Sequence, residues 1–251
     1  MRYLQHVEKF VDGMKVVEVL KRSEANPEAQ PAKNDGTVFF CMHGYGANAY
    51  DLAGLSAYLD FPEGTRMIFP NGILGIDMGY GGQQGRAWFN IDWVEIERIR
   101  REGGLRDLSK SLPPGMADAR DTLIAAMEKL ECDPARTIVG GFSQGAMLAT
   151  EIMLNHSSYL KGLIVFSGTL VNRIGWEQTA ANKYGAQSKV LSFIQSHGTH
   201  DPVLPVQAAH RLYALLTEHG GEGKLVEFAG QHEIPAQVID ETNNWLREQF
   251  R

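Results

Sequence analysis

The sequence has little cysteine, no long apolar run and no excess of positive charge, and each absence excludes a class of protein. Only two cysteines, Cys41 and Cys132, occur in 251 residues, and their separation gives neither a metal-binding spacing nor a disulfide framework. We expect both to be reduced packing residues, as in a cytoplasmic protein. No apolar segment of bilayer length and no signal peptide are evident, so we predict no stable membrane insertion.

The balance of charge argues against a polyanionic partner. The chain has 24 Lys and Arg against 30 Asp and Glu, a formal net charge of −6, whereas nucleic-acid binding needs clustered cations. The one basic cluster, at 98–101, is interspersed with glutamates, as on a solvated helix face. We therefore predict no nucleic-acid partner.

Length and patterning predict a single α/β domain over residues 1–251. With 43% hydrophobic residues, a chain of this length can form one sizeable core. Short apolar segments, typical of buried strands, alternate with segments of helical periodicity. The predicted strands cover 37–42, 66–69, 137–142, 163–166, 190–195 and 224–228, and the predicted helices cover 50–59, 116–130, 144–155, 206–219 and 236–249.

This alternation is typical of a mostly parallel central sheet with helices on both faces. Before it, strands at 7–10 and 14–20 surround the turn signal Asp12-Gly13, and such a hairpin would add an antiparallel N-terminal edge. In sheets of this kind, ligands bind beyond the carboxyl ends of the strands. We therefore expect functional residues in the loops that follow the strands.

Residues 71–115 interrupt the alternation. The segment is rich in glycine and contains the aromatic residues Trp88, Phe89 and Trp93. Because long excursions usually have a function, we predict a lid or a pocket wall. The aromatic side chains either shape an apolar pocket or pack the segment onto the domain, and the sequence leaves both interpretations open.

The sequence Gly-Phe-Ser-Gln-Gly at 141–145 fits the pattern G-x-S-x-G. It lies between a predicted strand and a predicted helix, and so tight a turn forces Ser143 into a strained conformation that exposes its hydroxyl. The N–H of Gln144, at the start of the helix, points to where an oxyanion would form. This context predicts Ser143 as a nucleophile and Gln144 as an oxyanion donor.

A serine nucleophile needs a base, and position along the chain selects one from eight histidines. Asp201 follows the predicted strand at 190–195, and His232 follows the predicted strand at 224–228. The order Ser, Asp, His, with one member after each of three strands, is the order of the α/β-hydrolase fold. We predict His232 as the general base and Asp201 as the carboxylate that orients it.

A metal site is the main alternative for this region. His197, His200 and Asp201 have side chains that bind metals, but no further ligand is evident in the sequence. We therefore predict no metal and interpret the two histidines as residues that shape the loop or support the site.

Other residues are weaker candidates for the same roles. Ser167 also follows a strand, but it lacks the paired glycines of a nucleophile turn. Glu233 and Asp240 are too close to His232 in sequence to take the place of Asp201 in this fold.

The segment His-Gly-Tyr-Gly at 43–46 follows the strand at 37–42, where this fold has its second oxyanion donor. Its glycines let the backbone turn sharply and expose amides. The N–H of Tyr45 is the candidate donor, and we expect His43 to support the loop by hydrogen bonds.

Several segments together resemble the phospholipase/carboxylesterase family, which includes the acyl-protein thioesterases. They are the segments at 43–46 and 141–145, His-Gly-Thr-His-Asp-Pro-Val at 197–203 and Gly-Gln-His-Glu at 230–233. The sequence Arg-Ala-Trp-Phe-Asn-Ile at 86–91 resembles the family's Trp-bearing loop, although Asn90 stands where that family usually has aspartate. The resemblance extends from about Thr37 to the C-terminus.

The resemblance implies hydrolysis of short- to medium-chain carboxylic esters or thioesters through an acyl-enzyme, without a cofactor. It implies an oxyanion hole formed by the amides of Tyr45 and Gln144, and an acyl pocket lined by Trp88, with Phe89 beside it. The partner would be a small acyl ester or thioester. Lysophospholipids and protein-linked acyl groups are alternative substrates, and a homodimer is compatible with the family.

Two other functions stay open. The same three residues would serve a peptidase or a lactonase, because a triad alone does not specify the leaving group. A function of another class is ligand binding on a hydrolase scaffold. Such proteins often lose a member of the triad, whereas all three residues are present here.

Overall fold

A computed structural model of the chain describes residues 3–22, 36–77, 84–91, 98, 101, 108–185 and 189–251. The strands are β1 (Tyr3–Val11), β2 (Met14–Arg22), β3 (Val38–Met42), β4 (Arg66–Pro70), β5 (Leu74–Asp77), β6 (Gln84–Ala87), β7 (Thr137–Phe142), β8 (Gly162–Phe166), β9 (Leu191–Gly198) and β10 (Gly221–Phe228). The longer helices are α1 (Met116–Lys129), α2 (Gln144–Asn155), α3 (Arg173–Tyr184), α4 (Val206–Glu218) and α5 (Ala236–Gln249).

Eight strands form one sheet in the order β1-β2-β4-β3-β7-β8-β9-β10. From β4 to β10 all neighbouring strands are parallel, whereas β2 is antiparallel to both β4 and β1. The turn between β1 and β2 has φ of 49° at Asp12 and 79° at Gly13, the left-handed values of a tight hairpin. The predicted α/β-hydrolase fold, with a mostly parallel sheet and an antiparallel N-terminal edge, is confirmed.

Helices cover both faces of the sheet. Helices α1 to α4 bury their apolar sides on one face, in a core that includes Val139 and Trp176. Helix α5 and the segment 49–61 cover the other face, where Phe39 and Trp245 are buried. Because the sheet is enclosed on both sides, strands β3 and β8 near its centre are buried and apolar along their whole length.

The structure bears on two sequence predictions, the state of the two cysteines and the lack of a membrane-spanning segment. Cys41 and Cys132 are both buried and free, as predicted. Among the described residues, no helix is both long enough and apolar enough to cross a lipid bilayer.

The segment 50–59 differs from the sequence prediction of a helix. Only a short 3-10 helix at Ala53–Ala57 forms there, and the N–H of Leu55 donates to the carbonyl of Leu52, three residues back. Gly54 lies within this stretch, and glycine has a low helix propensity. The prediction of a regular helix over 50–59 was wrong.

Helix α3 and the β5–β6 hairpin have no counterpart among the predicted elements. The buried residues of α3 are Trp176, Ala180 and Tyr184, one per turn, which is too narrow an apolar stripe for a clear helical pattern. Strands β5 and β6 pair antiparallel within the excursion at 71–115. Their burial alternates with solvent exposure over only four residues each, so the local signal is short.

The excursion at 71–115 is described in part. Residues 71–77, 84–91 and 108–115 are described, together with residues 98 and 101. Trp93 lies outside the described residues. The assignment of the excursion as a lid therefore stays a prediction.

Strand β3, strand β7 and helix α2 meet closely at the carboxyl edge of the sheet. A Cβ at Gly145 would lie 2.5 Å from the carbonyl carbon of Met42 on β3, and closer still to the carbonyl oxygen. A Cβ at Gly141 would lie 2.5 Å from the carbonyl carbon of Gly145. These separations are far inside van der Waals contact, so glycine is required where the strand turns into the helix.

The close approach predicts a large loss of stability for Gly145→Ala. The added methyl group would force the start of α2 away from β3, and overpacking against backbone should lower the free energy of unfolding by roughly 3 kcal/mol or more. Urea unfolding measures this change. Gly54→Ala is the matched control, because a Cβ there meets nothing within 4 Å, and it should leave stability unchanged or raise it by up to about 1 kcal/mol. Equal stability of the two variants would contradict the packing described.

Candidate active site

The predicted site residues follow strands of the parallel part of the sheet. Tyr45 lies after β3, Ser143 and Gln144 lie after β7, Asp201 lies after β9 and His232 lies after β10. Because the parallel strands end at the same edge, the fold carries these residues, distant in sequence, to that edge.

Ser143 occupies a strained turn between β7 and α2. Its backbone has φ 55° and ψ −117°, a conformation that a residue with a side chain rarely adopts. Its N–H donates to the carbonyl of Phe166 on the neighbouring strand at 2.9 Å. A Cβ at Gly44 would lie 3.6 Å from the Cβ of Ser143, so the loop after β3 packs directly against the turn.

Asp201 and His232 are joined by a hydrogen bond of 2.6 Å between Oδ2 of the carboxylate and Nδ1 of the imidazole. The other oxygen, Oδ1, accepts the N–H groups of Val203 at 2.8 Å and Leu204 at 2.9 Å. Burial alone would raise the pKa of Asp201, but the hydrogen bonds from His232 and the two amides lower it. The ionised carboxylate accepts a hydrogen bond from Nδ1 of His232, so the neutral ring carries its proton on Nδ1 and none on Nε2.

The imidazole of His232 lies beside the turn that contains Ser143. Its ring centroid is 4.7 Å from that of Phe142, the residue before Ser143, with the planes tilted by 48°. Within the described part of the chain, the hydroxyl of Ser143 makes no hydrogen bond to this imidazole. Such contacts often shorten only when substrate is bound.

His197 lies near the same carboxylate oxygen of Asp201 that His232 contacts. Its side chain is fully buried, and Nε2 lies 3.0 Å from the carbonyl oxygen of Leu204 and 3.3 Å from Oδ2 of Asp201. Burial lowers the pKa of His197, so the ring is neutral and carries its proton on Nε2. His200 lies on the exposed side of the loop, next to the hydroxyl of Thr199. Across the described ranges, no group of three or more His, Cys, Asp or Glu side chains is arranged to hold a metal.

Among the described residues, the side chains of the other candidates make no hydrogen bond to Ser143, Asp201 or His232. Ser167 is fully buried, and its hydroxyl has no hydrogen-bond partner among the described residues. Glu233 accepts the N–H of Gln231 at 3.0 Å. Asp240 is exposed on α5.

His43 braces the loop that contains Tyr45. Its Nδ1 donates to the carbonyl of Gly44 at 2.7 Å, and its Nε2 accepts the N–H of Gly72 at 2.9 Å. Burial lowers the pKa of His43 to about 4. The ring is therefore neutral, as it must be to donate from one nitrogen and accept at the other.

The same loop pairs with β6. The N–H of Gly46 donates to the carbonyl of Arg86, and the N–H of Arg86 donates to the carbonyl of Ala47, both at 2.9 Å. A Cβ at Gly85 would lie 2.5 Å from the carbonyl oxygen of Gly46, so the two backbones touch. Strand β6 of the excursion thus packs directly against the loop after β3.

Gln144 makes contacts that are not apparent from its sequence context. It opens α2, so its N–H has no partner within the helix. Its buried side chain accepts the N–H of Trp88 at 3.0 Å and donates to the carbonyl of Phe89 at 2.8 Å. The carboxamide therefore links the turn at Ser143 to residues 88 and 89 of the excursion, a contact for which the sequence contains no local signal.

Trp88 and Phe89 are buried in the core, with exposed fractions of 0% and 2%. The indole N–H of Trp88 donates to the carbonyl of His43 at 2.8 Å, and the two rings lie 4.9 Å apart. This burial favours the interpretation that both residues pack the excursion onto the domain. Their assignment to the acyl pocket stays a prediction.

Comparison with known proteins places the chain in a family. The model of a family described as Phospholipase/Carboxylesterase matches residues 24–249. An acyl-protein thioesterase 1 of Kluyveromyces lactis is 31% identical over 186 residues, which is 72% of this chain and 75% of the relative. A probable carboxylesterase of Oryza sativa subsp. japonica is 27% identical over 82% of this chain and 84% of its own length.

Solved structures agree with this placement. The crystal structure of esterase PE8 superposes with a TM-score of 0.68 at 27% identity, covering 87% of this chain and 96% of that chain. The Bacillus cereus carboxylesterase superposes with a TM-score of 0.65 at 17% identity, covering 95% and 96%, which shows the fold alone. From the family match over nearly its whole length, together with the sheet order and the turn at Ser143, it follows that this chain belongs to the phospholipase/carboxylesterase family of α/β-hydrolases.

Proposed function

We propose that the protein is a serine carboxylesterase that hydrolyses carboxylic ester or thioester bonds of short- to medium-chain acyl substrates. The observation that carries the proposal is the 2.6 Å hydrogen bond between His232 and the buried carboxylate of Asp201. The strained turn at Ser143 beside this pair supports it. So do the names of the relatives, which are those of a thioesterase and a carboxylesterase.

The first half of the reaction forms an acyl-enzyme. Oγ of Ser143 attacks the substrate carbonyl carbon while Nε2 of His232 takes the hydroxyl proton. Asp201 holds Nδ1–H and stabilises the imidazolium. His232 then donates its proton to the departing alcohol or thiol, and the acyl group stays on Ser143 as an ester.

The carbonyl oxygen becomes negatively charged during this attack. The N–H groups of Tyr45 and Gln144 donate hydrogen bonds to it, and the positive end of the α2 dipole adds to the stabilisation. In the second half, His232 takes a proton from water, and the water oxygen attacks the acyl-enzyme. Collapse of this second intermediate releases the carboxylic acid and restores the hydroxyl of Ser143. These steps need no cofactor.

A thioesterase acting on protein-linked acyl groups is the second candidate. The 31% identity to an acyl-protein thioesterase over 72% of this chain favours it. A panel of matched oxygen esters and thioesters, each across a series of acyl lengths, distinguishes the two candidates. A marked preference for thioesters would favour the second, and turnover of both linkages at short and medium lengths would favour the first.

Replacing the nucleophile should abolish chemistry without unfolding the protein. Ser143→Ala should show no turnover of p-nitrophenyl esters and no covalent labelling by a fluorophosphonate, because no other hydroxyl occupies the strained turn. Ser167→Ala is the control, since that buried serine also follows a strand, and it should keep both properties. Labelling that persists in Ser143→Ala would assign the nucleophile elsewhere. A wild-type protein that binds esters but is never labelled would indicate a ligand-binding protein.

Replacing the orienting carboxylate should lower the rate constant and leave binding intact. Asp201→Asn removes the charge that holds Nδ1–H of His232, so kcat should fall by about 10³- to 10⁴-fold with little change in KM. Steady-state kinetics on a p-nitrophenyl ester measure both constants. Asp240→Asn, an exposed aspartate on α5, is the control and should keep the wild-type kcat. A similar kcat in Asp201→Asn and wild type would exclude Asp201 from the triad.

The neutral His43 should make stability depend on pH. Its pKa lies near 4 in the folded state and near 6.5 in the unfolded state. Between these values only the unfolded chain binds the proton, so stability falls as the pH is lowered through this window, by on the order of 3 kcal/mol. His43→Gln should show a shallower decline in the free energy of unfolding between about pH 6.5 and 4.

Urea unfolding at several pH values measures the decline for each protein. His6→Gln removes an exposed imidazole on β1 and is the matched control, which should decline as steeply as wild type. Parallel curves for His43→Gln and wild type would show that residue 43 does not stay neutral in the fold.

A further inference from the structure

We propose that Trp88 is a positioning residue that fixes the separation of the two oxyanion donors, Tyr45 and Gln144. The inference rests on the proposed function, because these amides are oxyanion donors only in an acyl-transfer enzyme. Trp88 contacts the chain on both sides of the proposed hole. Its role would then lie in the geometry of the transition state and not in the recognition of the acyl chain.

The first link joins Trp88 to the loop after β3. The indole N–H donates to the carbonyl of His43 at 2.8 Å, and the indole ring lies against the imidazole ring at 4.9 Å. His43 is in turn held by the N–H of Gly72 at 2.9 Å. Since Tyr45 is two residues further along a tight loop, fixing the carbonyl of His43 fixes where the amide of Tyr45 can lie.

The second link joins the same tryptophan to the nucleophile turn. The carboxamide of Gln144 accepts the backbone N–H of Trp88 at 3.0 Å and donates to the carbonyl of Phe89 at 2.8 Å. These two hydrogen bonds, to the N–H of Trp88 and the carbonyl of Phe89, flank the peptide group between the two residues and hold Trp88 in both position and orientation. The backbone N–H of Gln144 belongs to the same residue, so the first turn of α2 is held in register with Trp88.

The residues that form both sets of hydrogen bonds are buried, so these bonds favour one relative arrangement of the two loops. Trp88 is 0% exposed, Gln144 is 2% exposed and His43 is 1% exposed. A buried polar group that loses its partner finds no water to replace it, so these hydrogen bonds select one arrangement of the two loops. An apolar side chain of similar size at 88 would fill the core, but it would not hold the carbonyl of His43.

A positioning role and an acyl-pocket role predict different kinetics. Oxyanion donors stabilise the charged intermediate far more than the neutral substrate, so a shift in their spacing lowers kcat and leaves KM nearly unchanged. The loss should be the same for every acyl chain, because the oxyanion is common to all substrates. Removal of a pocket wall would instead change the preference for acyl length.

The test uses two variants of the full chain. Trp88→Phe keeps an aromatic ring in the core and removes the indole N–H, and Gln144→Met keeps the side-chain length and removes both carboxamide hydrogen bonds. The values of kcat and KM are measured on p-nitrophenyl esters from acetate to decanoate, with active sites counted by fluorophosphonate titration. We expect kcat per active site to fall about 10- to 100-fold in each variant. Within one variant, the fold-decrease should be the same for every ester from acetate to decanoate.

Trp176→Phe is the matched control. Trp176 is also buried, at 1% exposed, and its indole N–H donates to the carboxylate of Glu151 at 2.6 Å, away from the turn. This variant also loses a buried indole hydrogen bond, here to a carboxylate, and should be less stable but keep the wild-type kcat. A similar fall in kcat for Trp176→Phe would mean that any buried tryptophan affects the rate, and the inference would fail.

The double variant Trp88→Phe/Gln144→Met tests whether the two links act in series. If they do, breaking the second link lowers kcat little further once the first is broken. The kcat of the double variant should then be no more than about threefold below that of the slower single variant. A boronic acid that forms a tetrahedral adduct on Ser143 should bind more weakly by the factor lost from kcat/KM. Losses in kcat that multiply fully would show two independent effects and would overturn the proposed linkage.

Two results separate this inference from the proposed function. An active wild-type enzyme whose Trp88→Phe variant keeps its kcat, or changes its preference for acyl length, overturns the inference alone. A wild-type protein that neither hydrolyses an ester or thioester nor takes the fluorophosphonate label overturns the proposed function and this inference with it.

Discussion

The site depends on how closely β3, β7 and the start of α2 approach one another. Where Gly145 faces the carbonyl of Met42, no side chain larger than a hydrogen atom fits. This contact forces Ser143 into its strained turn and packs Gly44 against it. Local strain of this kind persists only where surrounding structure over-determines it, and the enclosed strands and helix α2 provide that support here.

Burial and hydrogen bonding set the charge of each ionisable group around the turn. His43 and His197 are both enclosed, and burial lowers the pKa of each, so both stay neutral and act through defined donors and acceptors. The side chain of Asp201 is also buried, yet the hydrogen bonds from His232, Leu204 and Val203 lower its pKa and keep it charged. One carboxylate among neutral rings gives the proposed base, His232, a single orientation and a single accepting nitrogen.

Most strands and helices were predictable because the pattern of apolar residues that indicates each one lies within a single short segment of the chain. Buried strands are short continuous apolar runs, and α2 and α5 have the bounds that periodicity predicts. The segment at 50–59 and helix α3 were not predictable in the same way. At 50–59, an apolar stretch interrupted by Gly54 forms only a short 3-10 helix. In α3, only three residues are buried, so the helical periodicity of apolar residues is too weak to recognise in the sequence. Tertiary packing decides such marginal segments.

Sequence by itself determined the family resemblance and the candidates Ser143, Asp201 and His232, because each follows a strand in an order that can be read along the chain. Only the tertiary structure decided the place of Trp88. Its partners His43 and Gln144 are 45 and 56 residues away, and no local pattern encodes which carbonyl an indole N–H will reach. Contacts between distant segments arise from the folded backbone, which brings together groups that the chain separates.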